Sequence, residues 1–404
     1  VRLPVEVWIL SLISFLSAAG MGLVAPALPA LAREYDVGIT AMSVAISGFA
    51  AARLLANVGL IPALRHVRLR PVLAAGLGFQ ATTTFASGLA TDYTWFVVFR
   101  CLSGIGSAAF TIASTALLVA LAPADRRGRA MSVFGGSSGI GIVAGPAIGG
   151  ALALAQPHLP LLVYGAALGL GGVIAVVLLR RARDVRTVEA APPPAETDTA
   201  AVHTDGMIGR TRSPGALAQL FRDPLFRTVI ACQFVHGWVN YGLRMAILPT
   251  YLESVGHGLA FVGIGLTVAA ATQLVTTTVS GGVSDRLGRR PVLLTSFVLA
   301  LGAIALFGFP AAPWIVIAAF FAFGLAGGAQ ASASSAMLAD SRAGRTAAAA
   351  GVFWMTFDIA AIVGPLLTGV TVEVAGYPWA LGVAALVVAV AAGVTVRMPR
   401  TRPS

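Results

Sequence analysis

Nearly the whole chain consists of apolar runs of about twenty residues or more, separated by short polar turns, and this pattern leaves few folds open. Of its 404 residues, 57% are hydrophobic and 11% charged, and the mean hydropathy is +0.86. Soluble domains carry roughly a quarter charged residues. No water-facing fold of this length needs so much apolar surface, so the excess must face lipid. The runs predict twelve helical spans near 6–31, 40–62, 72–90, 94–121, 130–155, 159–179, 226–251, 259–282, 291–309, 313–338, 347–371 and 378–396. The first is long enough to span and is followed at once by others, so it reads as a helix rather than a cleaved leader. Val1 hints at an alternative start codon.

A polar stretch separates the sixth and seventh spans. It contains Ala190-Ala191-Pro192-Pro193-Pro194 and scattered Thr, Asp and Glu, too polar for a core and too rich in proline for one helix. The expected organisation is a six-helix bundle over 1–180, a linker over 181–225 and a second bundle over 226–404. The halves look related. Arg70-Pro71-Val72-Leu73 recurs as Arg290-Pro291-Val292-Leu293, an offset of 220, and Gly145-Pro146 recurs as Gly364-Pro365, an offset of 219. Two coincidences at nearly one offset predict a parallel duplication of a six-helix unit.

The formal charge of +11 suggests nucleic acid until the basic residues are placed. All 27 are arginine, and 23 of them fall at the termini, in the linker or in alternate turns that would share one side of the membrane. Arg33 alone falls in a turn on the other side, and Arg53, Arg100 and Arg244 lie within spans. The positive-inside rule then puts both termini and the linker in the cytoplasm of a multi-pass cell-membrane protein. No nucleic-acid partner is expected. Cys101 and Cys232 both lie in apolar runs and read as packing residues rather than a disulfide or metal pair. No metal cluster, nucleotide loop or other cofactor motif is legible, which argues against an enzyme.

Thirteen residues, Ser280 to Val292, form a short charge-dense turn between the eighth and ninth spans. Gly281, Asp285, Arg286, Gly288, Arg289 and Arg290 there stand as G-x-x-x-D-R-x-G-R-R, which resembles the loop signature of the major facilitator superfamily. The resemblance implies an all-α membrane fold of twelve helices in two pseudo-symmetric bundles, working as a secondary transporter. It also implies that the acid and the arginines latch helix ends in one state of the transport cycle. Carboxylates can accept from exposed amides at helix N-termini, and arginines can donate to free carbonyls at C-termini. The alternative is a topological anchor without a gating role. The corresponding turn after span two departs from the pattern, with Arg65 in place of Asp285, His66 of Arg286, Arg68 of Gly288 and Ile61 of Gly281.

Span five carries Gly141, Gly145, Pro146, Gly149 and Gly150, which resemble the family's antiporter signature G-x-x-x-G-P-x-x-G-G. Within the family this pattern accompanies proton-driven drug exporters more than uptake carriers. As chemistry it allows close helix packing in either case. Arg100, in Arg100-Cys101-Leu102-Ser103-Gly104-Ile105-Gly106, resembles the family's R-x-x-x-G-x-G pattern and is a candidate for proton coupling or for bonding to backbone carbonyls. Arg53 and Asn57 place a charge and an amide one turn apart in span two.

Span seven carries Gln233, His236, Asn240 and Arg244 at spacings of three, four and four, one face of an α-helix. Such groups facing lipid would be very costly, so they read as a solute-contacting wall or as interhelical bonds. His236 is also a titratable candidate. Of sixteen acidic residues, Asp358 alone lies deep in a span, which makes it the leading proton-coupling candidate, paired part-time with Arg244 or Arg100, or else a member of a permanent ion pair. The expected function is proton-coupled efflux of a small molecule by a monomer in the lipid bilayer. The alternatives are an uptake or metabolite permease of the same superfamily, or a membrane sensor on a transporter scaffold. The solute is left open between amphiphilic drugs and anionic metabolites.

Overall fold

The computed structural model describes residues 3–63, 67–123, 126–179, 220–341 and 347–398. The expected linker lies outside them over 181–219, as do Arg65, His66, Arg342 and Arg345. The described chain is helical and contains twelve rods: α1 (Val5–Glu34), α2 (Ile39–Ala63), α3 (Leu69–Gly88), α4 (Tyr93–Leu121), α5 (Arg127–Ala155), α6 (Leu159–Leu178), α7, α8 (Leu259–Leu287), α9 (Arg289–Phe307), α10 (Pro313–Asp340), α11 (Ala347–Ala375) and α12 (Tyr377–Val396). The rod α7 is built of three pieces, α-helical Pro224–Gly237, π-helical Trp238–Ile247 and α-helical Leu248–Ser254. Ten rods are long and apolar enough to cross a membrane by length and composition. The other two are α3, which carries Gln80 and a run of threonines, and the composite α7, which carries His236 and Arg244.

Two compact units form. One comprises Val1–Tyr35 with Gly48–Asp205, the other Asp36–Ser47 with Gly206–Ser404, so the division falls within α2. Local chemistry fixes several helix ends. Asp92 caps α4 by accepting from the Trp95 amide at 3.1 Å, and Asp223 caps α7 by accepting from the Leu225 amide at 2.9 Å, with Pro224 in the first turn where no amide is missed. Gly256, at φ 95°, ends α7. Its amide donates to the Glu253 carbonyl and the His257 amide to the Leu252 carbonyl, the paired bonds of a Schellman turn. At the end of α1 the Tyr35 hydroxyl donates to the Ala90 carbonyl at 3.0 Å; burial, then the charges of Glu34 and Asp92, push its pKa up to about 12, which keeps it a donor.

The duplication reaches the level of contacts. In the first unit α5 crosses α1 at Gly145, where an added Cβ would strike the Ala19 carbonyl oxygen and come within 2.9 Å of the Gly22 Cα. In the second, α11 crosses the π-helical piece of α7 at Gly364, within 3.4 Å of the Gly242 backbone by the same measure. Gly22 and Gly242 stand 220 residues apart, and Gly145 and Gly364 stand 219 apart. Arg70 donates to the Val176 carbonyl near the end of α6, and Arg290 donates to the Val396 carbonyl at the end of α12. Donors and acceptors alike are offset by 220.

One expected boundary moves. The turn predicted over Ser280 to Val292 is almost entirely helical: α8 runs through Leu287, α9 begins at Arg289, and Gly288 alone joins them at φ 88°. A glycine admits that left-handed conformation without a Cβ clash, so one residue suffices to reverse the chain. Asp285 and Arg286 therefore sit in the last turn of α8 rather than in a loop.

Candidate functional site

The polar stripe on α7 becomes a hydrogen-bonded chain. Asn240 Nδ2 donates to the His236 carbonyl at 2.8 Å and lies 3.4 Å from His236 Nε2. Arg244 Nη1 donates to Asn240 Oδ1 at 3.4 Å and to Gln273 Oε1 of α8 at 2.7 Å, and its Nη2 donates to the Leu266 carbonyl at 3.3 Å. His236 and Arg244 are buried and Asn240 half-buried. From α10, Gln330 donates to the Cys232 carbonyl at 3.2 Å. Gln233 is buried one turn away and, among the described residues, stands outside this chain.

The α-helical spacing that predicted the stripe does not hold along its length. From Trp238 the backbone switches to the wider i→i+5 pairing, a geometry that is rare and concentrated at functional sites. Asn240 bonds its side chain to the i−4 carbonyl where that switch disturbs the backbone ladder. Gly242 within the π-helical piece lets α11 come close, and Thr368 of α11 donates back to the Gly242 carbonyl at 3.2 Å. Phe357 packs its ring 5.8 Å from His236 and 5.7 Å from Tyr241, centroid to centroid. Asp358 is the next residue, 7% exposed. Among the described residues, the acceptors that hold Arg244 are thus neutral oxygens on α7 and α8.

Gln273 and Gln330 were not singled out by sequence reasoning. Both are amides inside apolar spans, which is itself a signal. Gln273 also lies 220 residues beyond Arg53, the one span position of α2 that was selected for its charge.

In the first unit Arg53, Asn57 and Arg100 are half-buried. The Arg100 guanidinium lies 5.0 Å from the centre of the Phe49 ring, a cation–π contact. Gly104 presses against the α2 backbone at the Phe49 carbonyl and the Arg53 amide, so the expected glycine pattern seats α4 on α2. The glycine face of α5 does the same for α1. Gly141 meets the Phe15 carbonyl, Gly149 the Leu23 carbonyl, and Pro146 packs on Gly22. Gly150 is buried beside them.

At the α8–α9 junction Arg289 is the hub. It donates to Asp285 Oδ1 at 2.5 Å, Ser284 Oγ at 2.9 Å and, across to the last residue of α10, Asp340 Oδ2 at 3.0 Å. Asp285 is satisfied by Arg289 within its own turn rather than by the helix N-terminus expected for it. Arg286 is exposed. Asp340 was missed because a carboxylate at a span end reads as a solvated flank until α10 is folded beside α8.

A family profile described as Major Facilitator Superfamily matches residues 10–251 and 229–404, together nearly the whole chain. The chain belongs to the major facilitator superfamily. The chain is 24% identical over 367 residues to the uncharacterised MFS-type transporter YfkF of Bacillus subtilis, covering 90% of this chain and 87% of that one. It is 24% identical over 390 residues to the class B tetracycline resistance protein of Escherichia coli, covering 92% and 91%. The crystal structure of a bacterial homolog of the human lysosomal transporter Spinster, inward-facing and occupied, superimposes with a TM-score of 0.74 at 15% identity over 98% of each chain, a likeness of fold. The superfamily places this chain among multi-pass membrane transporters of small molecules rather than enzymes.

Proposed function

We propose that this superfamily member is a proton-coupled exporter of small molecules working by alternating access. The observation that carries the reading is the similarity, along nine-tenths of the chain, to a protein named for tetracycline resistance. The glycine face of α5, packed backbone to backbone on α1, supports it through the antiporter resemblance. Expression in a bacterial strain stripped of its own exporters should raise the inhibitory concentration of one or more compounds in a broad panel. Inverted vesicles acidified inside should accumulate the same compounds. Accumulation by intact cells instead would make the protein an uptake permease.

In this reading Asp358 is the principal proton-linked carboxylate, with His236, Arg100 and Arg244 as further coupling candidates. Gln233, His236, Asn240 and Arg244, together with Arg53 and Asn57, contact the solute. The arginine distribution supports cytoplasmic termini and linker. In a chain lacking Cys101 and Cys232, an impermeant thiol reagent on intact cells should label cysteine introduced at Thr91 and not at Thr199; the reverse pattern inverts the topology.

The Arg289 hub acts as a latch on one conformation. Because Asp340 shares the guanidinium with Asp285, Asp285→Asn is expected to lower the transport rate only about twofold to threefold, an exposed ion pair being worth roughly 1 kcal/mol or less. Arg289→Ala removes both pairs and is expected to cost more, at normal membrane expression. Wild-type rates for Arg289→Ala in reconstituted vesicles would reduce the junction to a topological anchor.

A further inference from the structure

Arg244 is a buried, always-charged group, and its electrostatics are incomplete. It is 5% exposed, inside a span, and its acceptors are the Asn240 and Gln273 side-chain oxygens and the Leu266 carbonyl. Three neutral dipoles orient a guanidinium but do not neutralise it, and a cation at this depth ordinarily has a carboxylate, water or a ligand anion against it. The same three bonds engage both Nη1 protons and one Nη2 proton, so among the described residues two of the five donors, Nε–H and the second Nη2–H, are left over. Both belong to one planar guanidinium, the fork-shaped group that recognises carboxylates.

The surroundings hold that fork rigid, and the same helix carries an aromatic cluster farther along. Asn240, itself bonded to the His236 carbonyl, and Gln273 fix the guanidinium from two helices. About two turns back along α7 from Arg244, the His236 ring faces Phe357, which in turn meets Tyr241 edge-on at 80°. A positively charged fork on the same helix as an aromatic cluster offers the recognition chemistry of an aromatic carboxylate.

We propose that Arg244 is the anion anchor of the transported solute, and that the solute class is organic anions, a carboxylate or similar planar oxyanion on an apolar, typically aromatic body. This rests on the transport reading above but not on its direction. An amphiphilic cation would place like charge against Arg244 and is excluded as the principal substrate. Gln273 is a positioning residue that acts through the guanidinium.

The test measures binding rather than transport, so it stands whichever way solute moves. The full chain is purified in nanodiscs, and its thermal stabilisation is titrated with benzoate, salicylate and 1-naphthoate and with their neutral amides, benzamide, salicylamide and 1-naphthamide. Wild type should bind the carboxylates at least about tenfold more tightly than the amides, the size expected when a charge-assisted pair is traded for a neutral one. Arg244→Lys should keep the preference for the anion at reduced affinity. Arg244→Gln, which retains an amide able to reach Gln273, should bring acid and amide to within about twofold of each other. Equal binding of acid and amide by wild type, stabilisation by none of the six compounds, or a preference that survives in Arg244→Gln would overturn the proposal. Failure of the export reading, seen as uptake by cells, would leave these titrations unchanged.

Discussion

Asp358→Asn is expected to bring proton-driven transport down to the rate of protein-free vesicles while solute binding stays within about threefold of wild type. A carboxylate that takes up and releases a proton as the protein opens to each side is the minimal requirement for coupling. Asp358 is the acid that lies deep within a span, 7% exposed on α11 and next in sequence to Phe357, whose ring packs against His236 and Tyr241. Asparagine keeps the shape and removes the charge, so it mimics the protonated form permanently. The measurement is transport in proteoliposomes with and without an imposed pH gradient, alongside binding by thermal shift. A variant that still responds to the gradient as wild type does would make Asp358 structural, and coupling would then pass through His236 or a protonatable solute. Arg244 is held by Asn240, Gln273 and the Leu266 carbonyl. Its removal should therefore act on solute affinity, with no shift of the pH optimum through a broken pair with Asp358.

Gly145→Leu is expected to cost the folded protein outright. The position has no room: a Cβ meets the Ala19 carbonyl oxygen and lies 2.9 Å from the Gly22 Cα, which are backbone atoms that no rotamer change can move. Overpacking of this kind costs about 1–3 kcal/mol even where side chains can yield, and here α1 and α5 must separate along their length. Lost packing between membrane helices is not replaced by a hydrophobic driving force, since lipid is as apolar as leucine. The control is Gly136→Ala on the same helix, where an added Cβ meets nothing within 4 Å. It should express like wild type, with at most about 1 kcal/mol gained from helix propensity. A monodisperse size-exclusion peak at wild-type yield for Gly145→Leu would show that the two helices do not cross where the structure has them.

Much of this architecture was legible before any coordinates, because lipid imposes a coarse code. Runs of apolar residues mark the spans, and most helix ends fall within a few residues of those predicted, since a polar group cannot sit in hydrocarbon unpaired. The glycine pattern of span five named a close contact and the structure supplies its partner, the carbonyl edge of α1. The 220-residue offset likewise told that the halves repeat, though not that Arg70 and Arg290 close on carbonyls themselves 220 apart. Composition, spacing and periodicity are properties of one segment at a time, and they settle what each segment is.

Pairing between segments was beyond them. Counting charges along the sequence left Asp358 with either Arg244 or Arg100 as a part-time partner, and could not foresee that α8 brings Gln273 and the Leu266 carbonyl to the Arg244 guanidinium. Asp340 looked like a solvated flank until α10 set it against Arg289. The π-helical turn at Trp238–Ile247 has no signature in residue spacing, because it depends on how Gly242 and Gly364 let two backbones meet. Sequence alone determined the class of fold, the number of spans and the few polar groups that lipid would not tolerate unpaired. Which of those groups touch was decided by tertiary structure, because a hydrogen bond is made over about 3 Å between residues that lie on different helices, tens of positions apart in the chain.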